Sequence, residues 1–184
     1  MKRLFLALVL PAALALAVSS ASAGDGVVGA AYSISNAASG NELLVYSRSA
    51  DGSLTPAGSV PAGGLGTGAG LASQGAVVLT GDGHTIVAVN PGSNSVAAFA
   101  VDASGPHLLN TAPSGGIRPV SVDVRENLVY VLNKNNAALA TVSGFTLGKD
   151  GLTPIAGSTR FLNAGATDAA QVRFSPDGGA LVVT

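Results

Sequence analysis

One unit recurs along this chain, and a recurrence of this kind admits few folds. It reads Ala76-Val-Val-Leu-Thr-Gly-Asp-Gly-His-Thr-Ile-Val-Ala-Val-Asn90: a strand, an Asp-Gly turn, a Val-rich strand and a closing Asn. It returns as Pro119-Val-Ser-Val-Asp-Val-Arg-Glu-Asn-Leu-Val-Tyr-Val-Leu-Asn133, its closing Asn 43 residues after the first. It begins again at Gln171-Val-Arg-Phe-Ser-Pro-Asp-Gly and runs to Thr184. A fixed period of this length marks a repeat architecture, in which each unit buries its apolar faces against its neighbours.

The stretches between these units recur too. Asn41-Glu-Leu-Leu-Val-Tyr46 leads to Asp51-Gly-Ser-Leu-Thr-Pro-Ala-Gly-Ser59, and Val142-Ser-Gly-Phe-Thr-Leu147 leads to Asp150-Gly-Leu-Thr-Pro-Ile-Ala-Gly-Ser158. Between them, Asn94-Ser-Val-Ala-Ala-Phe99 leads to a weaker Gly105-Pro-His-Leu-Leu109. Asp-Gly at 51–52, 82–83, 150–151 and 177–178 suits hairpin turns, since Gly takes φ > 0 without steric cost. Short β-type runs such as Val27 to Ile34, Thr85 to Val89, Val96 to Val101 and Leu128 to Leu132 show no sustained 3.6-residue period. Four short strands per 40–50 residues is the spacing of a β-propeller blade. The alternative, a β-sandwich, does not require the same turn chemistry at a 43-residue period. The reading is therefore all-β, with a half blade from Gly26 and further blades starting near 76, 120 and 171, about 3.5 four-stranded blades. The chain stops at Val182-Val183-Thr184, inside an expected strand, which predicts a truncated ring completed by missing blades or by a second chain.

The N-terminus carries its own signature. Lys2 and Arg3 precede an apolar run from Leu4 to Val18, and Ala21-Ser22-Ala23 supplies a small-residue cleavage pattern. Residues 1–23 are predicted to be a signal peptide, leaving 24–184 as one exported, periplasmic or extracellular propeller domain. The run is short and Ala-rich for a membrane span, so an uncleaved anchor is the lesser reading, and no membrane attachment is expected after cleavage. The mature chain has seven basic residues against ten acidic ones, a balance without the basic footprint of nucleic-acid binding. It has no Cys, so packing and strand pairing must supply its stability.

Few residues carry chemistry. Arg118 precedes an inner strand, where a channel-mouth cation would lie; Gln74, Asn90, Asn133 and Gln171 sit at strand ends and are the other ligand-binding candidates. His84 and His107 read as surface residues. Asp51, Asp82, Asp150 and Asp177 each precede Gly, which turn formation explains without a metal, and no cofactor is expected. The run Gly63-Gly-Leu-Gly-Thr-Gly-Ala-Gly-Leu71 lacks the Lys-Ser/Thr ending of a phosphate loop and reads as a blade-to-blade insertion able to cover a channel mouth.

The framework phrases Ser175-Pro-Asp-Gly178, Val87-Ala-Val-Asn90-Pro-Gly-Ser-Asn94, Asp51-Gly-Ser-Leu54 and Gly116-Ile-Arg-Pro119 resemble the lactonase-type seven-bladed propeller family, over essentially all of 26–184. That family includes 6-phosphogluconolactonases and carboxymuconate-lactonising enzymes. The resemblance implies that this chain is about the first half of the ring. It also implies catalytic His, Arg and Glu groups near a channel mouth, some members opening an inner strand with Gly-x-x-Pro-Arg-His. The comparable stretch here is Gly165 to Phe174, with Gln171 in place of that His and Ala170 in place of the Arg. Gln is no base, so the site's catalytic residues stay unassigned. Two functions follow as expectations: a binding propeller or inactive fragment outside the cell, or a hydrolase opening a sugar or organic-acid lactone with Arg118 at the oxyanion.

Overall fold

The computed structural model describes residues 26–136, 139–163 and 165–184. The predicted signal peptide, 1–23, lies outside the described residues. Among the described residues, four antiparallel sheets follow one another. The first holds β1 (Val27–Ile34), β2 (Glu42–Ser49) and β3 (Leu54–Pro61). The second is a four-stranded meander of β4 (Val77–Leu79), β5 (Thr85–Asn90), β6 (Ser95–Asp102) and β7 (Gly105–Pro113). The third runs β8 (Pro119–Arg125), β9 (Leu128–Asn133), β10 (Thr141–Gly148) and β11 (Gly151–Pro154), with β12 (Arg160–Phe161) also paired to β10. The fourth is the hairpin of β13 (Val172–Phe174) and β14 (Leu181–Val183). These are the blades of a partial propeller. Among the described residues no helix is long and apolar enough to cross a membrane.

The turn chemistry acts where the sequence places it. Gly52, Gly83, Gly151 and Gly178 all have positive φ, from +76° to +103°. Thr80 and Ser175 hydroxyls bond Asp82 and Asp177 at 2.6 and 2.5 Å, closing the two inner hairpins alike. One expectation is corrected: the first unit is a three-stranded sheet, not a half blade. Its third strand, β3, is almost wholly exposed and reads Leu-Thr-Pro-Ala-Gly-Ser-Val-Pro, so it carries no buried apolar face to announce it.

The blades pack face to face, and the core is their stack of interfaces. Strand β5 shows the logic. Ile86 and Ala88 join Leu43, Ala62, Ala97 and Phe99 against the first blade. Val87 and Val89 join Val96, Ala98, Val122, Val129, Val131 and Phe145 against the third. All four β5 residues are fully buried, which is why this strand reads as a continuous apolar run and not an alternating one. A third layer, Val120, Leu132, Val142, Ala169 and Val172, joins the third blade to the fourth. The outer strand of the second blade is continuous, whereas its counterpart in the third is split into β11 and β12 after Pro154. Proline donates no ladder bond, and Gly157 turns the chain with φ +69°.

Candidate functional site

An antiparallel meander sends its connections to two rims. Residues 35–41 join β1 to β2, 91–94 join β5 to β6 and 134–140 join β9 to β10, whereas 62–76, 114–118 and 162–171 join one sheet to the next; the described residues of these connections share one rim. The tight hairpins share the other, and both histidines lie there: His84 in the β4–β5 turn and His107 near the start of β7, 3.7 Å from Asp102.

The Gly-rich insertion is a strap along the first rim. Gly66 and Gly68 N–H groups donate to Ala37 O and Asn36 O of the first blade, and Gly92 N of the second donates to Leu65 O. Lys134 Nζ, in the third, donates to Ala72 O at 3.3 Å, and Ser73 Oγ donates to Val120 O at 2.9 Å. Gln74 N reaches the fourth blade at Ala170 O, 3.1 Å away. One segment thus touches four sheets. A Cβ on Gly66 would run into the Asn36 backbone, and one on Gly92 into Gly66 O, so glycine is what permits the close approach.

Beneath the strap, a polar cavity of about 420 Å³ opens between the second and third blades. Thr67, Gly92, Asn94, Ile117, Arg118 and Asn136 line it. Arg118 holds φ +56°, a left-handed conformation that is costly for a residue with a Cβ and stands directly before Pro119. Both sides of the peptide enforce it: Arg118 N–H donates to Asn94 Oδ1 at 2.8 Å, and its carbonyl accepts from Lys134 N–H at 3.1 Å. Ile117 and Asn135 exchange two further bonds that pin the loop. Among the described residues the buried Arg118 Nε has no hydrogen-bond partner, and none of the ion pairs involves this side chain.

Behind Arg118 lies a pair that sequence reasoning missed. Lys134, its side chain only 5% exposed, donates to Asp168 Oδ1 at 2.6 Å, while the Asp168 side chain is 86% exposed. The hydrogen bond from Lys134, then its charge and that of Arg118, hold the Asp168 carboxyl below its usual range. These residues stand 34 apart in sequence, and no local pattern links them. The available signal was a lone Lys beside Asn133 in a chain with few charges.

The other candidates fall elsewhere. Asn90 is fully buried; its Oδ1 accepts from Asn41 Nδ2 and its Nδ2 donates to Ala62 O, each at 2.9 Å, fastening the first blade to the second. Asn133 occupies the matching place one blade on, donating to Ser114 O at 3.2 Å with its Oδ1 unpartnered. Gln74 is exposed and Gln171 half-buried at the starts of inner strands, each held through its backbone. Of the five candidates, only Arg118 lines the polar cavity. A second cavity, of about 470 Å³, lies beside Leu162, Asn163, Thr167, Asp168, Val183 and Thr184 and has no cationic lining.

A family model described as "Lactonase, 7-bladed beta-propeller" matches residues 27–149. Among solved structures, a Bacteroides fragilis protein provisionally described as a 6-phosphogluconolactonase superposes with a TM-score of 0.63 at 21% identity, covering 88% of this chain and 46% of its own. A functionally unknown protein from Desulfotomaculum acetoxidans gives 0.54 at 21% identity, covering 71% and 41%. A Lactobacillus plantarum protein gives 0.51 at 22%, covering 66% and 39%. This chain spans less than half the length of each, and at these identities the likeness is one of fold. No curated protein matches the chain.

Proposed function

This chain belongs to the lactonase seven-bladed β-propeller family, and from that premise we propose that it is an exported propeller domain that binds a small hydroxylated acid, or the lactone of one, at the Arg118 cavity. One observation carries the reading: a guanidinium held by a left-handed backbone at the wall of a polar cavity, with no ion pair among the described residues. A planar cation with unused donors suits a carboxylate or a lactone carbonyl. The provisional name of the Bacteroides fragilis neighbour supplies the ligand class.

Binding is better supported than hydrolysis. Ring opening needs a base to activate water as well as a cation for the oxyanion. Both histidines of the chain lie on the opposite rim. Asp168 is the carboxylate closest in character to a base, but Lys134 holds its carboxyl low, which makes it a weak proton acceptor.

Isothermal titration of the full chain with gluconate and gluconolactone tests this. Saturable binding is expected, weakened by about tenfold or more in Arg118→Ala, the loss of a charge-assisted hydrogen bond. Binding that ignores Arg118 sinks the proposal. Lactone turnover above the buffer rate, reduced in Arg118→Ala, replaces it with the hydrolase reading. Export rests on the N-terminal pattern; a secreted product that begins at Gly24 by mass spectrometry supports it, and an intact N-terminus in the cytoplasm overturns it.

A further inference from the structure

We propose that Lys134 and Arg118 form an oxyanion subsite, taking a carboxylate or phosphate-ester group, which Asp168 fills from within the chain and vacates when ligand arrives. The inference rests on the Arg118 reading above and adds a competitor and a second cation to it.

The asymmetry of the Lys134–Asp168 pair is the first ground. The ammonium is almost fully enclosed, whereas its partner carboxylate is 86% exposed, on the connection that follows β12. A buried ammonium needs an anion at all times, because leaving it unpaired costs several kcal/mol. An exposed carboxylate, by contrast, loses little on release, since water takes over its solvation. The cation is fixed and its anion is exchangeable.

The fixity of Lys134 is the second ground. Its backbone N–H is bonded to Arg118 O, and its Nζ also donates to the strap at Ala72 O. The same peptide that holds Arg118 left-handed therefore sets the position of Lys134. Arg118 brings a further positive charge with no ion pair of its own among the described residues. Only Lys134 touches the Asp168 carboxylate, while the Arg118 charge acts on it from a distance, and this surplus of positive charge favours a stronger acceptor.

Room for the exchange is the third. Asp168 also lines the 470 Å³ cavity on its far side. Its loop turns at Gly165, φ +97°, and is tied to the blade by Ala140 N donating to Ala166 O at 2.9 Å. Asp168 lies two residues beyond that tie, so the carboxylate can swing toward this cavity without unpairing a strand.

Titration calorimetry of the full chain with inorganic phosphate and with gluconate, in buffer free of other small anions, tests the exchange. Asp168→Asn keeps the size of the side chain and a hydrogen bond to Lys134 while removing the competing charge. Both probes are expected to bind about tenfold tighter or better to Asp168→Asn. Asp177→Asn, on the opposite rim, makes the same change in net charge and is expected to leave affinity unaltered. Lys134→Met is expected to abolish phosphate binding. Equal affinity in Asp168→Asn and the parent overturns the proposal, as does an equal gain in Asp177→Asn. Gluconate binding that depends on Arg118 but ignores Asp168 removes the exchange alone. No Arg118-dependent binding in any variant removes the underlying reading too.

Discussion

Asn90 and Asn133 close equivalent strands of consecutive repeats, yet their carboxamides meet different neighbours. Asn90 bonds at both ends, so Asn90→Ala strands the buried Ala62 carbonyl and takes one acceptor from Asn41. Asn133 has one bond, at 3.2 Å to the buried Ser114 carbonyl, and an oxygen without a partner among the described residues, so its removal strands one group and takes away another that is already unsatisfied. Leaving a buried polar group unsatisfied costs about 1–3 kcal/mol, and only at Asn133 is that cost offset by the removal of an already orphaned oxygen. Asn90→Ala is therefore expected to destabilise by about 2–3 kcal/mol and Asn133→Ala by about 1 kcal/mol, measured by urea denaturation; equal losses contradict the assignment of Asn90 as an inter-blade latch. The repeat made both residues legible as strand ends but was silent on this difference. Asn41, the partner of Asn90, lies 49 residues away, and only the stacking of blades brings it there. Arg118 was legible for the opposite reason: its place before an inner strand is local, although its left-handed backbone is enforced by Asn94 and Lys134 from other loops.

At the scale of elements, the strap and the hairpins make separate predictions. Gly66→Ala forces a Cβ into the Asn36 backbone, which has no side-chain freedom to yield. Overpacking of this kind costs about 1–3 kcal/mol. The variant is also expected to weaken gluconate binding, since Thr67 and Ala69 of the strap line the Arg118 cavity; a variant as stable and as competent as the parent contradicts the strap's role. In the inner hairpins, the Thr80 hydroxyl and then the His84 amide hold Asp82 below its usual range, and the Ser175 hydroxyl and then the Gly179 amide do the same for Asp177. A carboxyl lowered on folding stabilises above its unfolded pKa, and that stability is lost as pH falls through the folded value. The urea midpoint is expected to hold from neutral pH down to about pH 5 and to fall below about pH 4, less steeply when Asp82 and Asp177 are both Asn. An unchanged acid limb in the double variant rules out these turns as its source. Inner strands such as β5 and β9 were plain in the sequence because both faces are buried and both are apolar. The outer β3 was not, because its exposed Thr, Pro and Ser mimic a loop.

For the molecule as a whole, stability should follow the stacking of blades. Strands β5 and β6 sit between two packed layers, with Ile86 to Val89 and Val96 to Phe99 entirely buried. The first blade has one packed face, with an exposed β3, and the fourth is a two-stranded hairpin whose Val182 is 52% exposed. In a repeat array each unit draws its stability from its packed faces, so local opening is easiest in strands that are short or exposed. Native-state hydrogen exchange should therefore be slowest at the amides of β5, β6 and β9, and faster at β3, β13 and β14. The strap adds a refinement, because it bonds all four sheets along one rim. In Gly66→Ala the fast amides are expected to speed up further while those of β5 and β6 keep their order, since the strap ties the rim but the valine layers hold the centre. Uniform protection across all four sheets contradicts this ranking of strands by their packing.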